Sequence, residues 1–406
     1  MIGLFSESFD VVTQRRKIIW IDFLIMDVLL SRITRTEILQ HLTERGYDVY
    51  LFALHSKKRC HLDSGVHLIS VPLRYFPMVT ASFFALVVIV FLPFFVLAKR
   101  PHFVIVEPGP PIFGFMLWKP LLCSLKSKVV LDIRSTPTKV DNFRGYLNAA
   151  IFNMSVIVAK KTFDGATIIT ALMKRELCDK FRINPEFIGV WTSGVSTALF
   201  KPEKYSGIEM RRKLGLTNKF VIFYHGDLTV HRGIIESIKS IEILKSKCND
   251  LVLFLLGSGP ALHVLVETVR KKGIQDKVII HNPVDYVEVP KYISMCDVGI
   301  VPLPNLPVWR HQSPLKLLEY LAMEKVVIVT DIPANREIVG NSGCGIYIAS
   351  ANPKEIARAI IHARNNRERL KEWGSYGRAI TNEKYSWEKV AEDLDDYLLG
   401  LYEDSS

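Results

Sequence analysis

Eleven short apolar runs punctuate the chain, and most lack the polar alternation of a half-exposed strand. "KIIWIDFLIM", "DVYLFAL", "HLISVPL", "HFVIVEP", "KVVLDIR" and "GATIIT" fall in the first half. "FVIFYHG", "LVLFLLGSG", "KVIIHNP", "VGIVPL" and "VVIVTD" fall in the second. Strands apolar on both faces belong to parallel sheets covered by helices on either side. Helical segments such as "RTEILQHLTERG", ending on Gly46, and "GIIESIKSIEILKSK" separate them. The turn-rich passage "SGVSTALFKPEKY" divides the series in two. The pattern predicts an α/β chain of two doubly wound domains facing across a cleft. Their expected bounds are 1–198 and 199–380, with a closing amphipathic helix in 381–406 joining the first.

Charge is unevenly spread. Residues 1–198 hold 24 Lys and Arg against 15 Asp and Glu, whereas 199–406 hold 28 against 26. A basic first half suggests an anionic partner, a membrane surface or a phosphate-bearing substrate among them. The six cysteines lie far apart, without Cys-x-x-Cys or Cys/His pairing at metal spacing. That spacing fits reduced thiols in the cytoplasm and predicts no structural zinc. "MIGLFSESFDVVTQRRKIIW" places its basic residues after a mixed stretch, unlike a secretory signal.

The stretch "HQSPLKLLEYLAMEKVVIVTD", 311–331, carries the chemistry. Ser313 is a good helix N-cap and Pro314 suits the first helical position. The free amides of such a first turn, with the helix dipole, favour an anion. Lys316 adds a mobile positive charge. Glu319, less than two turns further in, suits the vicinal hydroxyls of a sugar. A phosphate and a ribose at that separation describe a nucleoside diphosphate. An ordinary capped helix with solvated Lys and Glu has the same local pattern.

"SPLKLLEYLAMEKVVIVTD" resembles the nucleotide-sugar motif of the family-four retaining glycosyltransferases, group 1, which have the GT-B fold of two Rossmann-like domains. "VIFYHGDLTVHRG", containing Gly226, resembles the family's strand, Gly-turn and basic-Gly segment. "LFLLGSGP", "YISMCDVGIVPL" and "GVWTSGVSTALFKP" resemble further segments in the right order. The resemblance implies a nucleotide-diphosphate sugar as donor substrate, no cofactor, no essential metal and no nucleic acid. It implies that Glu319 holds the donor ribose and that Leu315 and Lys316 offer backbone amides to the diphosphate. Arg232 stands where the family has the cation that neutralises the leaving diphosphate. A sugar-nucleotide 2-epimerase of the same fold, and a membrane-associated relative that has lost its chemistry, stay open as alternatives.

Three positions depart from the family pattern. His311 stands where a glutamate contacts the sugar, Asp227 where a second basic residue is usual, and Ser31 and Arg32 where a glycine-rich loop is expected. Arg32, Arg35 and Lys316 are the candidates to restore the lost charge. Asp132 and Arg134 end "KVVLDIR" and Glu107 ends "HFVIVEP", at the carboxyl edge where open α/β sheets bind ligands. Arg134 is an expected catalytic residue there. Gly257-Ser258-Gly259-Pro260 reads as a tight turn rather than a dinucleotide loop. Asp393 and Asp395 read as a solvated helix face rather than a metal motif.

Residues 78–98, "MVTASFFALVVIVFLPFFVLA", carry no charge. A helix of that length reaches about 31 Å, enough to cross a bilayer core. Yet a span there would place "HLISVPL" and "HFVIVEP" on opposite sides of a membrane and split one sheet. A buried crossover helix or an element lying in one leaflet remains. With Arg74, Lys99 and Arg100 flanking it, the second predicts a peripheral enzyme on the cytoplasmic face of an anionic membrane, acting on a lipid-linked acceptor.

Overall fold

The computed structural model describes residues 15–25, 29–55, 65–72, 79–137 and 143–403. All eleven expected strands are present, in two wholly parallel sheets. The first has the order β3-β2-β1-β4-β5-β6-β7. Its strands are β1 (Arg16–Ile25), β2 (Tyr47–His55), β3 (His67–Pro72), β4 (Phe103–Val106), β5 (Lys128–Ile133), β6 (Gly165–Ile168) and β7 (Ile188–Val190). The second, ordered β10-β9-β8-β11-β12-β13, contains β8 (Phe220–His225), β9 (Leu251–Leu256), β10 (Val278–His281), β11 (Val298–Val301), β12 (Val326–Thr330) and β13 (Gly345–Ile348). Every residue of β8, β9, β11 and β12 is buried, as helices on both faces require. Both orders reverse direction once, beside β1 and beside β8, so each sheet has the doubly wound switch point.

Packing divides the chain into two compact units. One comprises Met1–Asp132, Ile151–Ala166 and Leu398–Ser406; the other comprises Ile133–Ala150 and Thr167–Tyr397. The sheets divide between β7 and β8, near the expected boundary at 198, but the compact units divide earlier. Residues 167–200 pack with the second unit through specific contacts. Thr192 Oγ1 donates to Ser313 Oγ at 2.9 Å, and Val195 N donates to the Tyr385 carbonyl at 2.8 Å. The turn-rich passage at 193–205 is therefore no loose linker, for Val195 and Phe200 in it are fully buried. Asp395, expected on a solvated face, is also buried, whereas Asp393 pairs with Lys389 at 3.3 Å.

Helix α1 (Leu29–Glu44) begins earlier than the sequence pattern suggested and ends before Gly46, whose φ is +91°. Helix α2 (Val79–Lys99) occupies the charge-free stretch. Phe84, Val88, Leu92 and Val96 form its buried stripe at four-residue spacing. Phe95 packs edge-on against Phe52 of β2, ring centroids 5.0 Å apart. Helix α3 (Ile112–Ser124) lies beside α2, with Trp118 Nε1 donating to the Ile89 carbonyl at 3.0 Å. Because β3 and β4 belong to one parallel sheet, α2 runs back alongside them as a crossover. By length and composition it is also apolar enough to cross a membrane.

Candidate functional site

The second unit gathers its polar side chains at the carboxyl edge of β8, next to the switch point. β8 ends on His225, and the chain turns at Gly226 with φ +106°. A side chain at 226 would be strained by that angle and would reach within 3.4 Å of Lys316 Nζ. The 257–260 turn behind it is tight, as expected. A Cβ at Gly259 would lie 2.4 Å from the Leu228 carbonyl, so the two loops pack backbone to backbone. The 226–228 segment is tied to the second strand by Gly226 N to Leu256 O, 2.9 Å, and Leu228 N to Ser258 O, 2.8 Å.

Lys316 lies in the first turn of helix Leu315–Ala322. Its ammonium sits 3.7 Å from the centroid of the Tyr224 ring and has no hydrogen-bond partner and almost no exposed surface. Burial holds its pKa well below the ordinary lysine value, and the nearby Arg232 lowers it further. Arg232 lies 5.0 Å from the Trp309 ring centroid, with Asp227 at 3.8 Å, and its Nε is also unpartnered. Two cations with unmet N–H groups beside a helix start form an anion seat. The helix begins at Leu315 rather than at Pro314, and no side chain caps it. Ser313, the expected cap, is instead engaged by Thr192. The first-turn amides are thereby left without a side-chain acceptor.

Glu319 is buried, one turn inward from Lys316. Tyr286 OH donates to its Oε1 at 2.9 Å, and His225 Nε2 lies 3.2 Å from its Oε2. Each carboxylate oxygen accepts more than one hydrogen bond, so a ribose hydroxyl can share either. His225, Tyr286 and Tyr224 were not singled out in the sequence. His225 had a signal in its place just before the Gly-turn, whereas Tyr286 had none. His311 Nε2 lies 2.9 Å from Glu176 of helix Ala171–Phe181, which brings a half-exposed carboxylate beside the position where the family has its own.

The residues considered at the edge of the first sheet are held by contacts of their own. Arg35 is buried, with Nε 2.5 Å from Asp22, Nη2 2.9 Å from Glu107 and Nη2 3.3 Å from Asp132. Committed to three carboxylates, it does not restore the charge lost at 227. Burial, with Asp22 close by, raises the Glu107 carboxyl well above its usual range. Arg134 stacks on Trp191 at 3.5 Å and donates to its carbonyl at 2.7 Å. The side chains of Ser31 and Arg32, and the whole of Arg74, lie outside the described residues. Lys316 Nζ is a cation beside residue 226.

Residues 207–380 match the family described as glycosyl transferases group 1. An uncharacterized glycosyltransferase of Methanocaldococcus jannaschii is 25% identical over 246 residues, 57% of this chain and 59% of that protein. A GDP-mannose-dependent alpha-(1-6)-phosphatidylinositol monomannoside mannosyltransferase of Mycobacterium tuberculosis is 22% identical over 209 residues, 51% of this chain and 54% of that protein. The alignments thus span little more than half of these relatives. Among solved structures, a glycosyltransferase from Rickettsia africae superposes with a TM-score of 0.74 at 15% identity, covering 95% of this chain and 98% of that one. Anabaena HepE in complex with UDP gives 0.73 at 11% identity, covering 95% and 100%. At such identities the structural likeness speaks for the fold. Residues 207–380 thus carry the likeness to the glycosyl transferases group 1 family, and the chain has the GT-B fold.

Proposed function

We propose that this chain is a retaining glycosyltransferase that moves a hexose from a nucleoside-diphosphate donor to a lipid-linked acceptor, without a metal, at the cytoplasmic face of a membrane. The observation that carries the donor half is the unpartnered Lys316 ammonium, one helical turn from the buried carboxylate of Glu319, with the unmet Nε of Arg232 as a second donor. Lys316 and Glu319, on successive turns of one helix, suit a phosphate followed by a ribose. The UDP complex of the Anabaena neighbour supports a nucleotide in this fold. The lipid named as acceptor of the mycobacterial relative, with the apolar α2, supports the acceptor half.

In the proposed reaction an acceptor hydroxyl attacks the anomeric carbon as the bond to the β-phosphate oxygen breaks. The hydroxyl proton passes to the departing phosphate on the same face, so configuration is retained. Negative charge grows on the leaving diphosphate, and Arg232 and Lys316 meet it with fixed positive charge. Two side-chain cations then do what a metal ion does in other transferases.

The test is donor consumption by purified protein across UDP- and GDP-sugars, with and without lipid extract, in the presence of EDTA. The expected result is acceptor-dependent release of nucleoside diphosphate, unaffected by EDTA, giving a product with the donor's anomeric configuration. Isomerised donor without acceptor would identify a 2-epimerase instead. No consumption of any donor would identify a relative without chemistry.

A further inference from the structure

Within the first unit, α2 has a second apolar stripe that the fold does not cover. Phe83, Leu86, Val90, Phe94 and Leu97 are exposed, Phe94 to 68%. A water-facing helix normally carries polar residues on this side. The neighbouring α3 adds Met116 and Leu117, the latter also 68% exposed. Both crossovers, β3 to β4 and β4 to β5, progress in the same direction across the sheet. With right-handed connections their helices therefore lie on one face. The result is one apolar surface two helices wide, larger in kind than the scattered exposed side chains of a soluble surface.

Charge at its border identifies the occupant. In a parallel βα sheet, helix ends and strand starts lie along the same edge. That edge here carries Lys99 and Arg100 after α2, Lys126 and Lys128 after α3, and Arg16 and Lys17 at the start of β1. The nearby acids Asp48 and Asp164 are already paired, with His67 and Lys119. His102, at the same edge, has its pKa lowered by burial and by Arg16 and Lys17. An apolar face bordered by cations matches the headgroup and acyl layers of an anionic leaflet. A second copy docked about a two-fold axis would leave those cations without opposite charges.

We infer that the α2–α3 face seats the protein on an anionic bilayer, with α2 lying in the plane of the leaflet. This rests on the membrane side of the function proposed above and is independent of the donor seat. The full chain is floated with vesicles of phosphatidylcholine, alone or mixed with phosphatidylglycerol, at low and high salt. Flotation is expected with the anionic vesicles and weakened by salt. Phe94→Glu combined with Leu117→Glu should lower partitioning at least ~10-fold, because charge is driven into the acyl boundary. Arg100→Glu combined with Lys126→Glu should remove the preference for phosphatidylglycerol. All these positions are exposed, so thermal melting and nucleotide binding in solution should stay unchanged. Protein that remains soluble with every vesicle, or variants that float like the parent, would overturn the inference. So would a dimer in sedimentation that the Phe94/Leu117 variant dissolves, since the face would then belong to a second copy.

Discussion

Replacing Arg232 by alanine is expected to lower turnover by roughly 100-fold or more, on the scale seen when one charge-stabilising donor is removed from a transition state. The donor KM should change far less. The guanidinium is held beside Trp309 and by Asp227 at 3.8 Å, and its unpartnered Nε has hydrogen-bonding capacity to offer a phosphate. The leaving diphosphate gains charge between ground state and transition state, so an interaction with it contributes mainly to turnover. Arg232→Lys should recover part of the loss, because a point charge remains but the planar fork does not. Steady-state kinetics decide the matter. Normal turnover with a raised KM would make Arg232 a ground-state anchor and remove it from the chemical step.

Glu319→Ala is expected to weaken donor binding by about 2–3 kcal/mol, the cost of losing charged hydrogen bonds to two ribose hydroxyls. That corresponds to roughly 30- to 150-fold in affinity. The alanine also strips Tyr286 and His225 of their partner, so part of any effect is structural. Glu319→Gln keeps the volume and one carbonyl acceptor, and should fall between the two. Melting temperature and calorimetric titration on both variants separate folding from binding. Unchanged donor affinity in a folded variant would place the ribose elsewhere.

Eleven strands were legible as apolar runs, most of them because both faces are buried; the edge strands β3 and β10 are only partly buried but keep an apolar run. The two that were missed, β7 and β13, are edge strands of three and four residues, and β13 is only partly buried along most of its length. In the candidate site, Lys316 and Glu319 share one short helix, so spacing alone places them together, whereas Arg232 comes from the family resemblance. Ser313 was misread as a cap because Thr192, 121 residues away in sequence, engages its hydroxyl. Arg35 looked like a free cation for the same kind of reason. Asp22, Glu107 and Asp132 surround it only once β1, β4 and β5 are known to be neighbours. Sequence spacing reports what shares a helix or a turn; the partners supplied by strand order need the fold.

The loss of a basic residue at 227 and the unusual lysine at 316 then become one fact. Lys316 Nζ lies 3.4 Å from where a Cβ at Gly226 would stand, next to residue 227. Its lowered pKa gives this arrangement a signature. Below that lowered pKa the ammonium is charged and ready for a diphosphate. As pH rises through that value the charge is lost, and binding must restore it by taking up a proton. Titrating UDP and GDP calorimetrically, over a pH series and in buffers of different ionisation enthalpy, reads both effects. The parent protein should bind at least one of them with proton uptake, and affinity should fall as pH rises. Lys316→Met should bind at least ~10-fold more weakly, as expected for one charge-assisted contact, and without the proton uptake. Equal affinity and equal proton uptake in the two proteins would contradict the seat described here.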